Sequence, residues 1–239
     1  MIIRAFDHTQ GVYSFREAGL VTGLHAHPVG ELIFAHEGSF DLSGPGYGYK
    51  DVTAMAILPN QLHALSGQNA VCDLIMVEPG FIPYDRLQAL LPVPVGESGI
   101  FPIDQKWISL LSEKWSEALP GVGKTDETDH RVKKTMELVR GYVGLEKISL
   151  SWLADQVHLS PGRLTHLFSS ELGIPIQRFI LWERLKFAVN EIVWKKSNLT
   201  DAALAAGFFD TAHFSRTFKA MMGIKPSEVY NSSRIVQAS

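Results

Sequence analysis

The chain has 239 residues, 46% of them hydrophobic and 20% charged, with a formal net charge of −3. That composition excludes collagen-like, mostly disordered and multi-span membrane proteins, and it allows one large domain or two of ordinary size. No run nears the ~18 apolar residues of a membrane helix, the opening MIIRAFDHTQG lacks the apolar stretch of a secretory signal, and the single Cys72 has no internal disulfide partner, so a cytoplasmic chain with a buried, inert thiol is expected.

The charge is unevenly spread. Residues 1–128 hold 7 Lys+Arg against 15 Asp+Glu, and the remainder hold 15 against 10. Opposite-signed halves suggest two domains with different partners, the basic one facing nucleic acid. The first ninety residues alternate apolar and polar side chains over short runs, as in Val12–Ala18, Glu31–His36, Ala54–Leu58 and Asp73–Val77. A turn cluster at Ser43–Gly48 and the proline-rich Leu91–Val95 punctuate them. Many short strands at close spacing predict a sandwich or small barrel. Asp104–Leu119 then has helical period, with Trp107, Leu110, Leu111 and Trp115 on one face, and Pro120 stops it. Gly121–Thr128 reads as a linker, and from Asp129 onward every segment reads as helix.

The basic half repeats itself weakly. Ser160-Pro-Gly-Arg-Leu-Thr-His-Leu-Phe168 followed by Gly173 matches Asp210-Thr-Ala-His-Phe-Ser-Arg-Thr-Phe218 followed by Gly223, 50 positions on. Each copy opens on a capping residue, places an apolar pair at i, i+4 and closes on a glycine suited to a left-handed C-cap. A short helix precedes each, Ser149–Val157 and Asn198–Ala206, with Ser149 and Asn198 as caps and Ala154 and Ala203 as points of close crossing. His158 and Gly207 supply the tight turns. Helix, tight turn and helix, twice, joined by a long helix near Ile176–Lys196, make a pair of helix-turn-helix units. Such units lay their second helix in a major groove. The outward residues are then Arg163, Thr165 and His166 in the first unit, and Thr211, Ala212, Ser215 and Arg216 in the second. Arg216 suits guanine O6/N7, and Lys219 suits a phosphate.

Across Asp129–Ser232 this half resembles the DNA-binding module of the AraC/XylS family of transcription regulators. The resemblance is carried most specifically by GFFDTAHFSRTFKAMMGIKP, Gly207 to Pro226. The first unit departs from the family pattern with His158 where glycine is frequent and His166 where arginine is frequent. The resemblance implies a bipartite duplex site read in two successive major-groove segments, and a sensor domain ahead of the reader.

Four of the nine histidines lie between residues 25 and 63. Gly19-x5-His25-Ala-His27-x3-Glu31-x6-Gly38 resembles the first motif of the cupin family, and Pro59-Asn-Gln-Leu-His63 resembles a shortened second one. His25 and His27 stand i, i+2 on an expected strand, so their rings share a face. Glu31 follows a turn, and His63 arrives from a later strand. Three imidazoles and a carboxylate suit one divalent transition metal, Zn, Ni, Mn or Fe. The same residues also suit a polar pocket without metal. Phe34, Tyr47 and Tyr49 are the expected apolar wall of a ligand pocket, and His36 is expected in the core or lining the pocket, not as a ligand.

The expected fold is α+β in two domains: residues 1–120 a cupin-like all-β jelly-roll barrel with a flanking helix, 121–128 a linker, and 129–239 an all-α double helix-turn-helix. The expected function is a non-catalytic regulator that binds double-stranded DNA, senses a small-molecule effector or metal and gains avidity as a homodimer, with no membrane partner. The rival readings are a metal-dependent cupin enzyme with a DNA-binding appendage, and a regulator whose barrel only dimerises.

Overall fold

The structure, a computed structural model, describes residues 2–7, 11–78, 99–103, 128–145, 148–228 and 234–235. The helix expected over Asp104–Leu119, the proline-rich Leu91–Val95 and all of the expected linker but Thr128 lie outside them. The chain divides into two compact units, Met1–Thr125 with Lys219–Ser239, and Asp126–Phe218. The architecture is α+β, with an antiparallel β region followed by a helical one. Among the described residues no helix is long and apolar enough to cross a membrane.

The strands are β1 (Ile2–Asp7), β2 (Val12–Ala18), β3 (Gly30–Glu37), β4 (Phe40–Gly44), β5 (Tyr47–Val52), β6 (Ala54–Ile57), β7 (Ala64–Ser66), β8 (Val71–Val77), β9 (Ile100–Pro102) and β10 (Arg234–Ile235). One sheet has the order β10-β1-β2-β8-β3-β6-β9 and the other β5-β4-β7. Every pairing is antiparallel except that of β1 with β10. Register places Tyr13, Met76, Glu31 and Ile57 side by side across β2, β8, β3 and β6. Because successive side chains alternate faces, those four share one face of the sheet. Glu31 is the one carboxylate in that row. In the smaller sheet Phe40 and Leu42 turn inward while Asp41 and Ser43 are more exposed, which is the alternation of a half-buried strand. Gly38, at φ +73°, turns β3 into β4 where an added Cβ would run into the Asn69 carbonyl, so the last glycine of the cupin-like motif answers a backbone need. Cys72 is fully buried, and burial, aided by the neighbouring Asp73 charge, pushes its thiol up to about 11.

The helices are α1 (His130–Tyr142), α2 (Leu150–Gln156), α3 (Pro161–Leu172), α4 (Ile176–Val193), α5 (Leu199–Ala205) and α6 (Thr211–Met222). Their starts follow from capping chemistry. Asp129 accepts from the Arg131 N–H, Ser149 from Trp152, Ser160 from Arg163, Asn198 from Thr200 and Asp201, and Asp210 from His213. Pro161 occupies the first position of α3, and Gly173 ends it in the left-handed conformation. The first helix-turn-helix packs Leu153, Ala154, Leu164 and Phe168 with Val132 and Met136 of α1 and Phe179 of α4. In the second, Phe208, Phe214 and Phe218 form an edge-to-face ladder with centroids 5.3 and 5.8 Å apart, and Ala202 and Ala203 are buried as well.

The two units are not related by one constant shift. Ser149 and Asn198, which cap α2 and α5, stand 49 positions apart. So do the turn bonds, Leu159 N–H to Ala154 O and Phe208 N–H to Ala203 O. Ser160 and Asp210, which cap α3 and α6, stand 50 apart. The second turn is therefore one residue longer, and the added residue is Phe209.

Candidate nucleic-acid interface and histidine cluster

Helix α3 buries Leu164, Phe168 and Leu172 and leaves the opposite face to solvent. Arg163 and His166 are exposed, and Thr165 is half-buried. The Thr165 hydroxyl donates to the Pro161 carbonyl at 2.9 Å, so its donor is committed to its own helix. On α6, Phe214, Phe218 and Met221 are buried, while Ala212, Arg216 and Lys219 are exposed and Thr211 and Ser215 are intermediate. Thr211 Oγ1 lies 3.1 Å from Thr200 Oγ1, which ties the start of α6 to α5. His158 at φ +55° and Gly207 at φ +81° make the turns that swing each second helix across the first. The eight residues expected on the outward faces thus lie on two surface helices, each anchored from beneath by an i, i+4 apolar pair.

Helix α4, which joins the two units, holds a buried ion cluster that sequence reading missed. Glu183 accepts from Lys186 Nζ at 2.9 Å, both chains being nearly fully buried, and Arg140 Nε from α1 approaches the same carboxylate at 3.3 Å. The i, i+3 spacing of Glu183 and Lys186 was visible, but burial of both required the fold.

In the β region, His25, His27 and His63 are buried with ligand atoms within 4.8 Å of one another. Residues 25 and 27 do not lie on a regular strand, as the i, i+2 reading supposed. His25 sits on an isolated bridge to His63, its N–H donating to the His63 carbonyl at 2.9 Å and its carbonyl accepting from the His63 N–H at 2.8 Å. That bridge sets the two rings 4.1 Å apart. Each histidine is oriented by a carbonyl two residues away: Nδ1 of His25 by Gly23 O, of His27 by Val29 O and of His63 by Gln61 O, all at 2.9 Å. A carbonyl only accepts, so Nδ1 carries the hydrogen in all three rings, and in the neutral ring Nε2 is left as a lone pair. Locked tautomers of this kind are what metal-binding imidazoles use.

Glu31 lies against two of the three rings. Its side chain is 3% exposed, with Oε2 at 3.1 Å from His27 Nε2 and 3.2 Å from His63 Nε2. The His63 approach is close in distance but off the line of a hydrogen bond, so His63 Nε2 stays a buried atom without a hydrogen-bond partner. Burial alone would raise the Glu31 carboxyl, yet His27 and His63 hold it well below the usual carboxylate range. Burial, together with the His63 and His27 charges, pushes His25 down to about 3, leaving it neutral. With Nδ1 protonated, each Nε2 that faces the carboxylate needs either a second proton, as in the 3.1 Å hydrogen bond between His27 Nε2 and Glu31 Oε2, or a divalent cation in its place. The unpartnered His63 nitrogen, the fixed tautomers and the buried carboxylate fit such an ion.

The expected pocket wall is split. Phe34 is buried, but it stands three residues past Glu31 on a regularly paired strand and so points to the opposite face of the sheet. Tyr47 and Tyr49 are half-buried with rings 6.0 Å apart, and they donate to the carbonyls of Leu62, at 2.6 Å, and Ile100, at 3.2 Å. Leu62 precedes His63, which places the Tyr47 hydroxyl beside the cluster's backbone. Burial, then the Tyr49 charge, pushes Tyr47 up to about 12. His36, expected in the core, is exposed instead, because β3 runs through an irregularity between Ala35 and Glu37 at its end.

Comparison with known proteins adds to this geometry. A family model described as a helix-turn-helix domain matches residues 153–232. The chain is 30% identical over 100 residues to the arabinose operon regulatory protein of Escherichia coli (strain K12), covering 42% of this chain and 34% of that protein. It is 25% identical over 234 residues to the probable transcriptional regulator LumQ of Photobacterium leiognathi, covering 85% of this chain and 90% of that one. The chain spans about a third of the length of the first curated relatives it matches. Apo ToxT from Vibrio cholerae strain SCE256 superposes with a TM-score of 0.60 at 14% identity, over 92% of this chain and 97% of that one. ToxT bound to an unsaturated fatty acid gives 0.56 at 14%, over 92% and 94%. At such identities the likeness is one of fold.

Proposed function

We propose that this chain is a member of the AraC/XylS family of transcription regulators, as its matches support, and that it acts in the cytoplasm by docking α3 and α6 in successive major-groove segments of double-stranded DNA, under the control of its N-terminal region. The observation that carries this reading is the pair of capped surface helices, each fixed from below by a buried apolar pair and each leaving its opposite face to solvent. Arg216 reads a guanine edge, Arg163, His166, Thr211, Ala212 and Ser215 contact bases or sugars nearby, Thr165 presents its methyl, and Lys219 holds a phosphate. Residues 129–239 are the reader, 121–128 the linker and 1–120 the sensor. Dimers of the chain would gain avidity on repeated sites.

The sensor takes one divalent transition metal on His25, His27, His63 and Glu31, with Zn, Ni, Mn and Fe all matching the donor set. When bound, the ion would supply, in place of protons on Nε2, the positive charge that faces the buried carboxylate. We assign Tyr47 and Tyr49, whose hydroxyls donate to the carbonyls of Leu62 and Ile100, to a small-molecule pocket in the same region. The fatty acid held by ToxT supports ligand binding by this architecture. Metal or effector controls DNA binding to the extent that it binds one state of the chain better than another.

Two measurements test the proposal. Selection of random duplexes by the full chain is expected to enrich a bipartite sequence, and no enrichment refutes DNA reading. Elemental analysis of the purified chain is expected to give one transition metal per chain that a strong chelator removes with a change in operator affinity. Metal below stoichiometry after refolding with each of the four ions refutes the metal assignment.

A further inference from the structure

The second helix-turn-helix holds one residue that the first lacks. Leu159 does two jobs in the first unit: its N–H closes the turn onto Ala154, and it directly precedes the cap Ser160. In the second unit those jobs are divided. Phe208 closes the turn onto Ala203 and is buried against Phe214, and Phe209 alone precedes the cap Asp210. Phe209 is 85% exposed, the most exposed large apolar side chain among the described residues. It contributes nothing to the core, and the turn is already closed without it.

Its position gives it a use. Phe209 stands one residue before the N-cap of the helix proposed to read DNA, at the end that meets base edges. The outward residues that follow first, Thr211 and Ala212, are short and uncharged, and the cation Arg216 comes a turn later. Apart from the Asp210 carboxylate, which is held by the His213 N–H as the helix cap, the leading edge of α6 is therefore uncharged, with Phe209 its one large apolar side chain. A phenyl ring offers nothing to a phosphate. In the major groove its counterpart is the C5-methyl of thymine, the one apolar group a base pair displays there.

We propose that Phe209 reads a thymine methyl at the leading edge of the segment contacted by α6, so that the second half of the site carries a required thymine with no equivalent in the first half. This rests on α6 entering the major groove as proposed above. An exposed phenylalanine could instead meet another protein, but its place directly before the cap of the reading helix favours DNA.

The test uses the full chain and a duplex enriched from a random pool. Each thymine is replaced in turn by deoxyuridine, which removes only the methyl. Affinities are measured by fluorescence anisotropy for the wild type, Phe209→Ala and Phe209→Leu, with helicity checked by circular dichroism. At one thymine, deoxyuridine is expected to weaken the wild type about fourfold, the value of one buried methyl-sized group. Phe209→Ala is expected not to distinguish the two bases there, and Phe209→Leu to recover part of the difference. If no thymine responds differently in wild type and Phe209→Ala, the inference is wrong while DNA reading stands. It is equally wrong if Phe209→Ala leaves all DNA affinities intact and abolishes only transcription in a reconstituted reaction, since Phe209 then meets a protein. If the wild type enriches no sequence, both proposals fall together.

Discussion

Replacing Glu183 by Gln removes one charge from the middle of α4 and leaves its shape almost unchanged. In the native chain Lys186 Nζ lies 2.9 and 2.8 Å from the two oxygens of that carboxylate, and the side chains of Glu183 and Lys186 are 7% and 5% exposed. The variant removes the negative charge that faces the buried Lys186 ammonium group. Breaking such a pair on one side typically costs about 3–5 kcal/mol. The lower end applies here, since the glutamine oxygen still accepts a hydrogen bond and Arg140 is partly exposed. With a urea dependence of about 1.5 kcal/mol per molar for a unit of this size, a loss of about 3 kcal/mol moves the midpoint down by about 2 M. Ellipticity at 222 nm follows the helices through the titration. The paired change Glu183→Leu with Lys186→Met removes both charges and should restore most of the midpoint, because well-packed apolar side chains replace a buried pair at little cost. A Glu183→Gln midpoint within about 0.3 M of the wild type would refute the reasoning, as would a double variant weaker than the single one.

Arg216→Ala should cost about 1–3 kcal/mol on the selected site and relax base preference at one position, measured on single-base variants of the duplex; equal loss on every sequence would make Arg216 a phosphate contact. Lys219→Ala should weaken all duplexes alike and lower the slope of log affinity against log salt by about 1, and an unchanged slope contradicts its phosphate role. At Gly207 an added Cβ would meet Arg184 Nε at an ordinary 3.4 Å, so Gly207→Ala pays only for its left-handed φ of +81°, about 1–2 kcal/mol in the denaturation midpoint. His158→Gly at the matching turn should change stability by less than about 1 kcal/mol, because relief of a left-handed backbone offsets the added freedom of the unfolded chain.

What could be read from the sequence was local. The caps Asp129, Ser149, Ser160, Asn198 and Asp210 and the turns at His158 and Gly207 depend on a few neighbouring residues, and the helices begin and turn there. Strand β2 falls on the alternating run Val12–Ala18 for the same reason. The order of strands is long-range and has no local signature: β8 lies between β2 and β3, and β6 beside β3. The gathering of His63 with His25 depends on that topology and on a single backbone bridge. Two features were legible but unread. Phe34 stands three residues from Glu31, and an odd spacing on a strand means opposite faces. The extra Phe209 shows once the first helices are compared at 49 positions and the second helices at 50. The Glu183–Lys186 pair was not legible, because charged residues at helical spacing usually face water.

The central claim is that two similar helices read neighbouring stretches of one duplex. A hydroxyl-radical and base-modification footprint of the full chain on its selected duplex tests it directly. Two major-groove segments centred about 10–10.5 base pairs apart should be protected, with Arg163→Ala loosening one of them and Arg216→Ala the other. A single protected segment, or both substitutions loosening the same one, would contradict it.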